Sequence, residues 1–169
     1  MGDRTRRDEE FLEFVQARRD RLFRTAFLLC GDRAWAEDIV QTALAKLYPR
    51  WERVQRLDSV DAYVRRTVVN AHLDDVRRAW RRDRSLPEGH DVAAGSPGLS
   101  VEDADELWTA LRALPPGQRR VVVLRHYWGL SVEETAADLG ISVGTVKSQT
   151  SFALARLRGL LEPQPIRGN

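Results

Sequence analysis

Polar side chains near the end of the chain have the types and spacing that suit contact with a nucleic acid. They lie in the stretch SVEETAADLGISVGTVKSQTSFALARL, which starts at Ser131. If a helix follows Ser142, one side of it carries Gly144, Thr145, Lys147, Ser148, Ser151 and Ala155. A major groove admits one helix, and short hydroxyl groups can hydrogen-bond base edges there. The helix N-terminus and Lys147 favour phosphate, and Arg156 and Arg158 add backbone contacts that position without specifying a sequence.

The residues before this helix predict the element that positions it. Ser131 with Glu134 three residues later is a capping box, in which each side chain satisfies a backbone N–H of the first turn. Ala136 is small enough for two helices to cross closely, and Gly140 can adopt the positive φ of a tight turn. Val146 is spaced to pack back against the first helix. The pattern predicts a helix-turn-helix, with a purely structural helical hairpin as the alternative.

One aromatic residue falls on the outer side of the same helix. Phe152 could contact a thymine methyl group in a major groove. It could also pack on a neighbouring helix. The second use is the commoner one for an aromatic at helical spacing, so the sequence favours packing.

The rest of the chain predicts an all-α fold of two small helical domains. Apolar residues recur every three or four positions, with Gly31 as a helix stop, Asp32 as a cap and Pro49 as a limit. A loop over 50–59 precedes a third helix capped by Asp58 or Ser59. The segment SLPEGHDVAAGSPGLS has little periodicity. It predicts a flexible, acidic Gly/Pro/Ser linker at 83–99 between lobes at 8–82 and 100–162.

Composition narrows the class of protein. The chain has 169 residues, of which 43% are hydrophobic, so it can build real cores. No apolar run approaches the roughly 20 residues that span a bilayer, and no secretory signal is visible, so we expect a cytoplasmic protein without a membrane partner. Cys30 lies in an apolar run and is expected to be buried and inert. The histidines are scattered, so no metal, cofactor or catalytic residue is expected.

Charge alternates along the chain. Residues 50–84 contain ten arginines and six acids, residues 85–107 contain six acids and no base, and residues 143–161 contain three bases and no acid. Ordinary solvated faces explain this pattern as well as two polyanion-binding lobes around an acidic connector do.

The first lobe carries two candidate surfaces. In AEDIVQTALAKLY, inward packing of Ala36, Val40 and Ala43 leaves Glu37, Asp38, Gln41 and Lys46 outside. The next helix carries Arg65, Arg66, Arg77, Arg78, Arg81 and Arg82, and the aromatic residues nearby are Tyr48, Trp51, Tyr63 and Trp80. Cations with aromatic side chains available for stacking suit single-stranded DNA, although aromatics at helical spacing more often belong to the core.

Three motifs together carry a family resemblance. They are GDRAWAEDIVQTAL, AYVRRTVVNAHLDDVRR and LPPGQRRVVVLRHYWGLSVEETAADLGISVGTVKS. Over roughly residues 8–162 the chain resembles a sigma-70 family factor of the extracytoplasmic-function group (group IV), and the short actinobacterial members in particular. The resemblance makes the first lobe region 2 and the second lobe region 4.

The resemblance implies partners and roles. The partners are core RNA polymerase (the β′ clamp helices and the β subunit) and promoter DNA, and an anti-sigma factor is a further candidate whose existence the sequence does not decide. Glu37, Asp38 and Gln41 would dock on the polymerase. The −10 element would be contacted by Trp51, Arg53, Tyr63, Arg66, Asn70, Asp74, Arg77 and Arg78. The −35 element would be contacted by Thr145, Lys147, Ser148, Ser151 and Arg156, and the linker would run near the RNA exit path.

Two positions depart from the family pattern. Gln149 and Phe152 stand where many relatives carry arginine, so the resemblance does not predict the −35 sequence. The main alternative function is a stand-alone helix-turn-helix regulator, whose dimers read palindromic half-sites. An enzyme acting on nucleic acid would need a nucleophile or metal cluster, and an anti-sigma-type interaction protein would have no use for a DNA-reading helix.

Overall fold

The fold is all-helical and divides into two compact units. A computed structural model describes residues 2–83 and 101–161, without the side chains of 83 and 101–106, and these ranges contain helices and no strand. The units are Met1–Val101 and Glu102–Asn169. The predicted all-α class is confirmed. The predicted linker lies outside the described residues except at Asp83, which ends a helix.

The described residues of the first unit form four α-helices and one 3-10 turn. They are α1 (Gly2–Cys30), α2 (Arg33–Leu47), the 3-10 turn Tyr48–Arg50, α3 (Trp51–Val54) and α4 (Val60–Asp83). Gly31 ends α1 with a φ of 74°, which a residue with a Cβ rarely adopts. Asp32 caps α2 by accepting a 2.7 Å hydrogen bond from the Trp35 backbone N–H. Ser59, rather than Asp58, provides the cap of α4, since its hydroxyl accepts from Ala62 N–H.

One hydrophobic core joins the helices of this unit. Ala36, Ile39 and Val40 of α2 and Val68 of α4 have no exposed surface, and they pack with the C-terminal half of α1. Full burial of such aliphatic side chains stabilises a fold by roughly 1.5–3 kcal/mol each. Cys30 belongs to this core, as expected for an inert thiol.

The segment expected to be a loop over 50–59 is partly helical, so that expectation is corrected. Pro49 lies in the first turn of the 3-10 segment, where its missing N–H is not needed. Trp51 and Val54 follow three residues apart and are both buried. Their burial holds one helical turn in place, and the bends that lead to α4 come only after it.

Up to residue 161, where the described part ends, the second unit forms four helices. They are α5 (Val101–Arg112), α6 (Pro116–Val122, continued by a π-helical turn Val123–Tyr127), α7 (Val132–Leu139) and α8 (Val143–Leu161). Gly129 ends the α6 segment with a φ of 67°. Ser100 and Asp103 have the spacing of a capping box in the sequence, but Ser100 and the Asp103 side chain lie outside the part that the structure describes.

The predicted helix-turn-helix is formed by α7 and α8. The Ser131 hydroxyl accepts from Glu134 N–H at 3.0 Å, and the Glu134 carboxylate accepts from Ser131 N–H at 2.8 Å. Gly140 turns the chain with a φ of 65°. Val146 of α8 is fully buried and packs with Ala136 of α7 and Val121 of α6. These contacts fix the crossing of the two helices.

The capping box yields a stability prediction. Ser131→Ala removes the acceptor of Glu134 N–H, and we expect a loss of about 1 kcal/mol in the free energy of unfolding. Urea denaturation of the full chain, followed by circular dichroism, measures it. Ser151→Ala, at an exposed position inside α8, is the control and should be neutral. Equal stability of the two variants would contradict the capping assignment.

Candidate nucleic-acid interface

The outer face of α8 is exposed along its N-terminal half. Thr145, Lys147, Ser148 and Ser151 are all exposed, and Arg156 is exposed farther along the helix. On the inner face Val146 and Ala153 are fully buried. The structure therefore brings the five residues predicted for the −35 element onto the solvent side of one helix.

Two hydroxyl groups near the start of α8 are held by local hydrogen bonds. Ser142 accepts from Thr145 N–H at 3.1 Å, and the two hydroxyl oxygens lie 2.8 Å apart. Ser148 donates to the Gly144 carbonyl at 3.0 Å. These bonds restrict the rotamers of the side chains that would meet DNA. Lys147 has no ion-pair partner in the part of the chain that the structure describes, so its charge is available to an anion.

The position of Phe152 corrects an expectation. Its side chain is 63% exposed, so it does not pack on a neighbouring helix as the sequence favoured. The inner face of α8 is already filled by Val146, Thr150 and Ala153, which lie at the spacing of a single helical stripe. Phe152 falls outside that stripe and faces solvent.

The exposed face of α4 is basic but contains one carboxylate. Arg66, Asn70 and Arg77 are exposed, and spacings of four and seven residues place them on one side of the helix. Asp74 lies on the same side, 3.6 Å from Arg77 and 3.6 Å from Lys46 of α2. The carboxylate therefore ties the end of α2 to the basic face and orients two cations, while its own charge is offset.

The other cations of α4 differ in their surroundings. Arg78 pairs with Asp75, which also accepts a 3.0 Å hydrogen bond from the Trp35 indole of α2. Arg81 and Arg82 are exposed in the last turn. Arg65 is buried, so it does not belong to the surface that the sequence suggested.

The aromatic residues near the basic face divide into buried and exposed ones. Trp51, predicted to contact the −10 element, is only 4% exposed. Its ring centroid lies 5.4 Å from that of Phe11 and 4.8 Å from that of Phe14, so the ring belongs to the core. Tyr63 is half-buried against the same core. Trp80 is 51% exposed and is the aromatic ring of α4 that solvent reaches most.

An open pocket of about 340 Å³ lies beside the turn that follows α3. Phe14 and Trp51 contribute its aromatic surface. Arg18 of α1 binds Asp61 of α4 at 2.7 Å, and both side chains line the pocket. Gln55, Asp58, Ser59 and Val60 complete the lining. Arg53, which was predicted to contact DNA, is exposed on α3 but is not among these residues. The accessible lining of the pocket is more polar than apolar, and Trp51 is almost wholly buried behind it.

The N-terminal part of α1 holds the start of this turn, which sequence reasoning missed. Arg7 donates to the Tyr48 carbonyl at 2.7 Å, and its guanidinium lies 4.7 Å from the Tyr48 ring centroid. The Tyr48 hydroxyl donates to the Asp8 carboxylate at 2.6 Å. Phe11 contacts the rings of Tyr48 and Trp51 edge-on. These partners are about 40 residues apart, and the only available signal was the charged and aromatic spacing of 7–11.

The outer face of α2 carries the residues predicted to dock on a protein partner. Asp38 and Gln41 are exposed and lie one helical turn apart. Glu37 is half-exposed and accepts a 2.9 Å hydrogen bond from Arg19 of α1, so its charge is partly satisfied inside the unit. The structure thus brings Asp38 and Gln41 together on one face and places Glu37 beside Arg19 of α1.

Other kinds of site find no support in the residues described. Across 2–83 and 101–161, no group of His, Cys, Asp and Glu side chains could hold a metal ion. In the same ranges no helix has the length and apolar character needed to cross a membrane. His72 is buried against Trp35, and His126 is exposed.

Both units match models of known protein families. The family model described as Sigma-70 region 2 matches residues 14–82, and the model described as Sigma-70, region 4 matches residues 104–157. The RNA polymerase sigma-E factor of Streptomyces antibioticus is 44% identical over 164 residues, with 93% of this chain and 87% of the relative covered. The chain belongs to the sigma-70 family. It is a sigma factor that binds core RNA polymerase and directs promoter-specific initiation, and catalysis belongs to the polymerase.

Further relatives refine the group. The ECF RNA polymerase sigma factor SigM of Mycobacterium tuberculosis is 34% identical over 161 residues, with 95% of this chain and 79% of the relative covered. This sigma factor belongs to the extracytoplasmic-function group, as its motifs indicated. A solved structure of the sigma factor RpoE from Bartonella quintana, in complex with the anti-sigma factor NepR, is similar with a TM-score of 0.74 at 26% identity. The match covers 93% of this chain and 99% of that chain.

The family match decides between the functions that the sequence left open. A stand-alone helix-turn-helix regulator explains α7 and α8 alone, whereas the first unit matches region 2. The DNA-reading helix is therefore one part of a polymerase subunit.

The contact between Tyr48 and Asp8 gives a pH prediction. The hydrogen bond to the Asp8 carboxylate raises the pKa of Tyr48, with burial and the Asp8 charge adding to the effect. Because the folded pKa lies above the unfolded value, this contribution to stability is complete below about pH 10. It is lost as the pH rises through the folded pKa. An alkaline titration of tyrosinate absorbance should show a late-ionising component that belongs to Tyr48.

Two variants test this assignment. Tyr48→Phe should remove the late component, and Asp8→Ala should shift it to lower pH. A titration that is the same in Asp8→Ala and in the wild type would contradict the role of the carboxylate.

Proposed function

We propose that this sigma factor reads its promoter with two separate surfaces and binds core polymerase with a third. The first lobe, residues 8–82, would hold the polymerase-docking and −10 surfaces. The second lobe, residues 100–162, would hold the −35 surface. The observation that carries the proposal is the helix-turn-helix, whose second helix buries one stripe and exposes a polar, acid-free face to solvent.

The −35 surface is the N-terminal half of α8. Thr145, Ser148 and Ser151 offer short polar groups to base edges, and Lys147 and Arg156 offer cations to phosphates. The hydrogen bonds of Ser142 and Gly144 to the first two hydroxyls order this surface before DNA arrives. Ordered side chains lose less conformational entropy when they bind.

The −10 surface combines the basic face of α4 with the pocket beside α3. Arg66, Asn70 and Arg77 would follow the strand backbone, with Arg78 and Asp74 at the edge of the contact. An extruded base would enter the pocket of about 340 Å³, lie against the half-buried Phe14 ring and meet polar side chains such as Gln55 and Ser59. Removing a base from the duplex costs a few kcal/mol, which such a pocket and its stacking can offset. In this account Trp51 supports the Phe14 ring from the core, and Tyr63 and Arg53 would contact the strand outside the pocket.

The docking surface is the outer face of α2. Asp38 and Gln41 would contact the β′ clamp helices, and Glu37 would contribute at the edge of the contact. Charged groups on a helix face provide specificity and orientation when the partner presents the opposite charge.

Two further assignments rest on the family. The Bartonella relative was solved with an anti-sigma factor, and we propose that a protein of that kind also controls this chain. Its partners, polymerase and promoter DNA, place its action in the cytoplasm. The acidic segment 83–99 would connect the lobes near the RNA exit path.

Changes on the outer face of α2 separate docking from folding. Asp38→Arg with Gln41→Ala should abolish binding to core polymerase and promoter-directed transcription, because charge reversal at an interface brings like charges together. Helicity and the melting temperature should stay close to those of the wild type, since exposed substitutions usually change stability by less than about 0.5 kcal/mol. Affinity for core enzyme and in-vitro transcription are the measurements.

A matched control lies on α1. Asp20→Arg with Gln16→Ala changes the same residue types at exposed positions one turn apart, and it should keep full activity. If the α2 variant transcribes as well as this control, the docking surface is misplaced.

The phosphate contact of Lys147 can be measured through salt. Lys147→Ala should weaken holoenzyme binding to all −35 sequences alike, and the slope of log affinity against log salt should fall by about one. Ser148→Ala is the control, because loss of a neutral hydroxyl should alter sequence preference and leave the slope unchanged. An unchanged slope in Lys147→Ala would rule out the phosphate contact.

A further inference from the structure

Phe152 is a large apolar side chain that folding leaves in water. It is 63% exposed, whereas phenylalanine rings are normally buried. The other exposed large apolar residues of α8 are Leu160 and Leu161, which lie in its last turn. Phe152 lies in the middle of the helix, on the side that also carries Ser148 and Arg156, each one turn away.

Phe152 lies at a position along α8 that suits contact with a base pair beyond those that the Thr145 and Ser148 hydroxyls reach. The helix rises about 1.5 Å per residue, so Thr145 and Phe152 are separated by roughly 10 Å along its axis. That distance corresponds to about three base-pair steps of 3.4 Å. A helix that offers Thr145 and Ser148 to one part of a site therefore offers Phe152 to the next part.

The polar groups of this face have limited freedom to discriminate bases. The Ser148 proton is donated to the Gly144 carbonyl. One hydroxyl proton is also shared between Ser142 and Thr145. Gln149 is half-buried. An apolar ring adds a second kind of discrimination to that of the hydroxyls, because the major groove presents one apolar feature, the 5-methyl group of thymine.

The charge around Phe152 favours DNA over an apolar protein groove as the occupant. Residues 143–161 include Lys147, Arg156 and Arg158 and contain no acid. An exposed apolar ring on a helix that carries cations and no acid complements a polyanion that has methyl groups in its groove.

We propose that Phe152 is a specificity-determining residue that packs its ring against the 5-methyl group of a thymine in the −35 element. The proposal rests on the role proposed above for α8. With phenylalanine at position 152, the protein requires thymine at one −35 position. An arginine at position 152 would not impose that requirement, since arginine pairs preferentially with guanine.

The experiment uses the full chain assembled with core RNA polymerase from a Streptomyces species. The holoenzyme first selects promoter duplexes from a library randomised across the −35 region. Each thymine of the selected −35 sequence is then replaced singly by deoxyuridine, which removes only the methyl group. Affinities are measured for the wild type, Phe152→Ala, Phe152→Leu and Leu160→Ala.

For the wild type, we expect replacement of one thymine by deoxyuridine to lower the affinity for the duplex about fourfold. That is the size expected when one methyl group is no longer buried. Phe152→Ala should bind the thymine duplex more weakly and show no further loss at that position. Phe152→Leu should retain part of the sensitivity. Leu160→Ala, an apolar truncation at another exposed site of α8, should behave as the wild type.

Several results would overturn the proposal. Phe152→Ala could keep the full sensitivity to deoxyuridine at every thymine, or the selected −35 sequences could contain no conserved thymine. A Phe152→Ala variant that loses affinity for core enzyme with its −35 preference intact would assign the ring to a protein contact. A wild-type holoenzyme that selects no −35 sequence would instead remove the proposed role of α8 itself.

Discussion

Each DNA-facing helix of this sigma factor must bury one side and leave the opposite side unused by the fold. On α8 this division depends on Val146, which is fully buried against Ala136 and Val121. Because an α-helix has 3.6 residues per turn, the burial of Val146 and Ala153 turns Thr145, Ser148 and Ser151 towards solvent. The hydroxyls of Thr145 and Ser148 are ordered by Ser142, which precedes α8, and by Gly144 within it. The reading surface is therefore a consequence of how the core is packed.

In the first unit, ion pairs as well as packing fix the direction of the exposed side chains. Its basic face on α4 includes Asp74, which pairs with Lys46 and Arg77 and joins the face to α2. Such half-exposed pairs add little stability, of the order of 0–1 kcal/mol each. Their effect is geometric, because they restrict where the cations point. The turn before α4 is held from the other side, where Arg7, Asp8 and Phe11 bind Tyr48 and Trp51.

Local signals explain what could be predicted from the sequence. The Gly31 stop, the Asp32 cap and the Ser131–Glu134 capping box each depend on residues within three or four positions, and the structure confirms them. The family and the helix-turn-helix followed from motifs of the same local kind. The exposed positions of Asp38, Gln41 and Lys147 followed from helical periodicity alone.

Contacts between distant residues explain what could not be predicted. The burial of Trp51 depends on Phe11 and Phe14, about 40 residues away, and no spacing in the sequence distinguishes that ring from one that stacks on DNA. The contact of Asp8 with Tyr48 has the same long range. Phe152 was expected to pack because its type is usually buried, yet Val146 and Ala153 already occupy the inner stripe of α8.

The central claim is that polymerase and promoter use different surfaces of this chain. Hydrogen exchange followed by mass spectrometry tests it on the free chain, the holoenzyme and the holoenzyme with promoter. We expect core enzyme to slow exchange in α2, and promoter to slow exchange further in residues 48–59 and 143–152. If core enzyme alone gave those two segments their full protection and promoter added nothing, the account of separate DNA-reading surfaces would be contradicted.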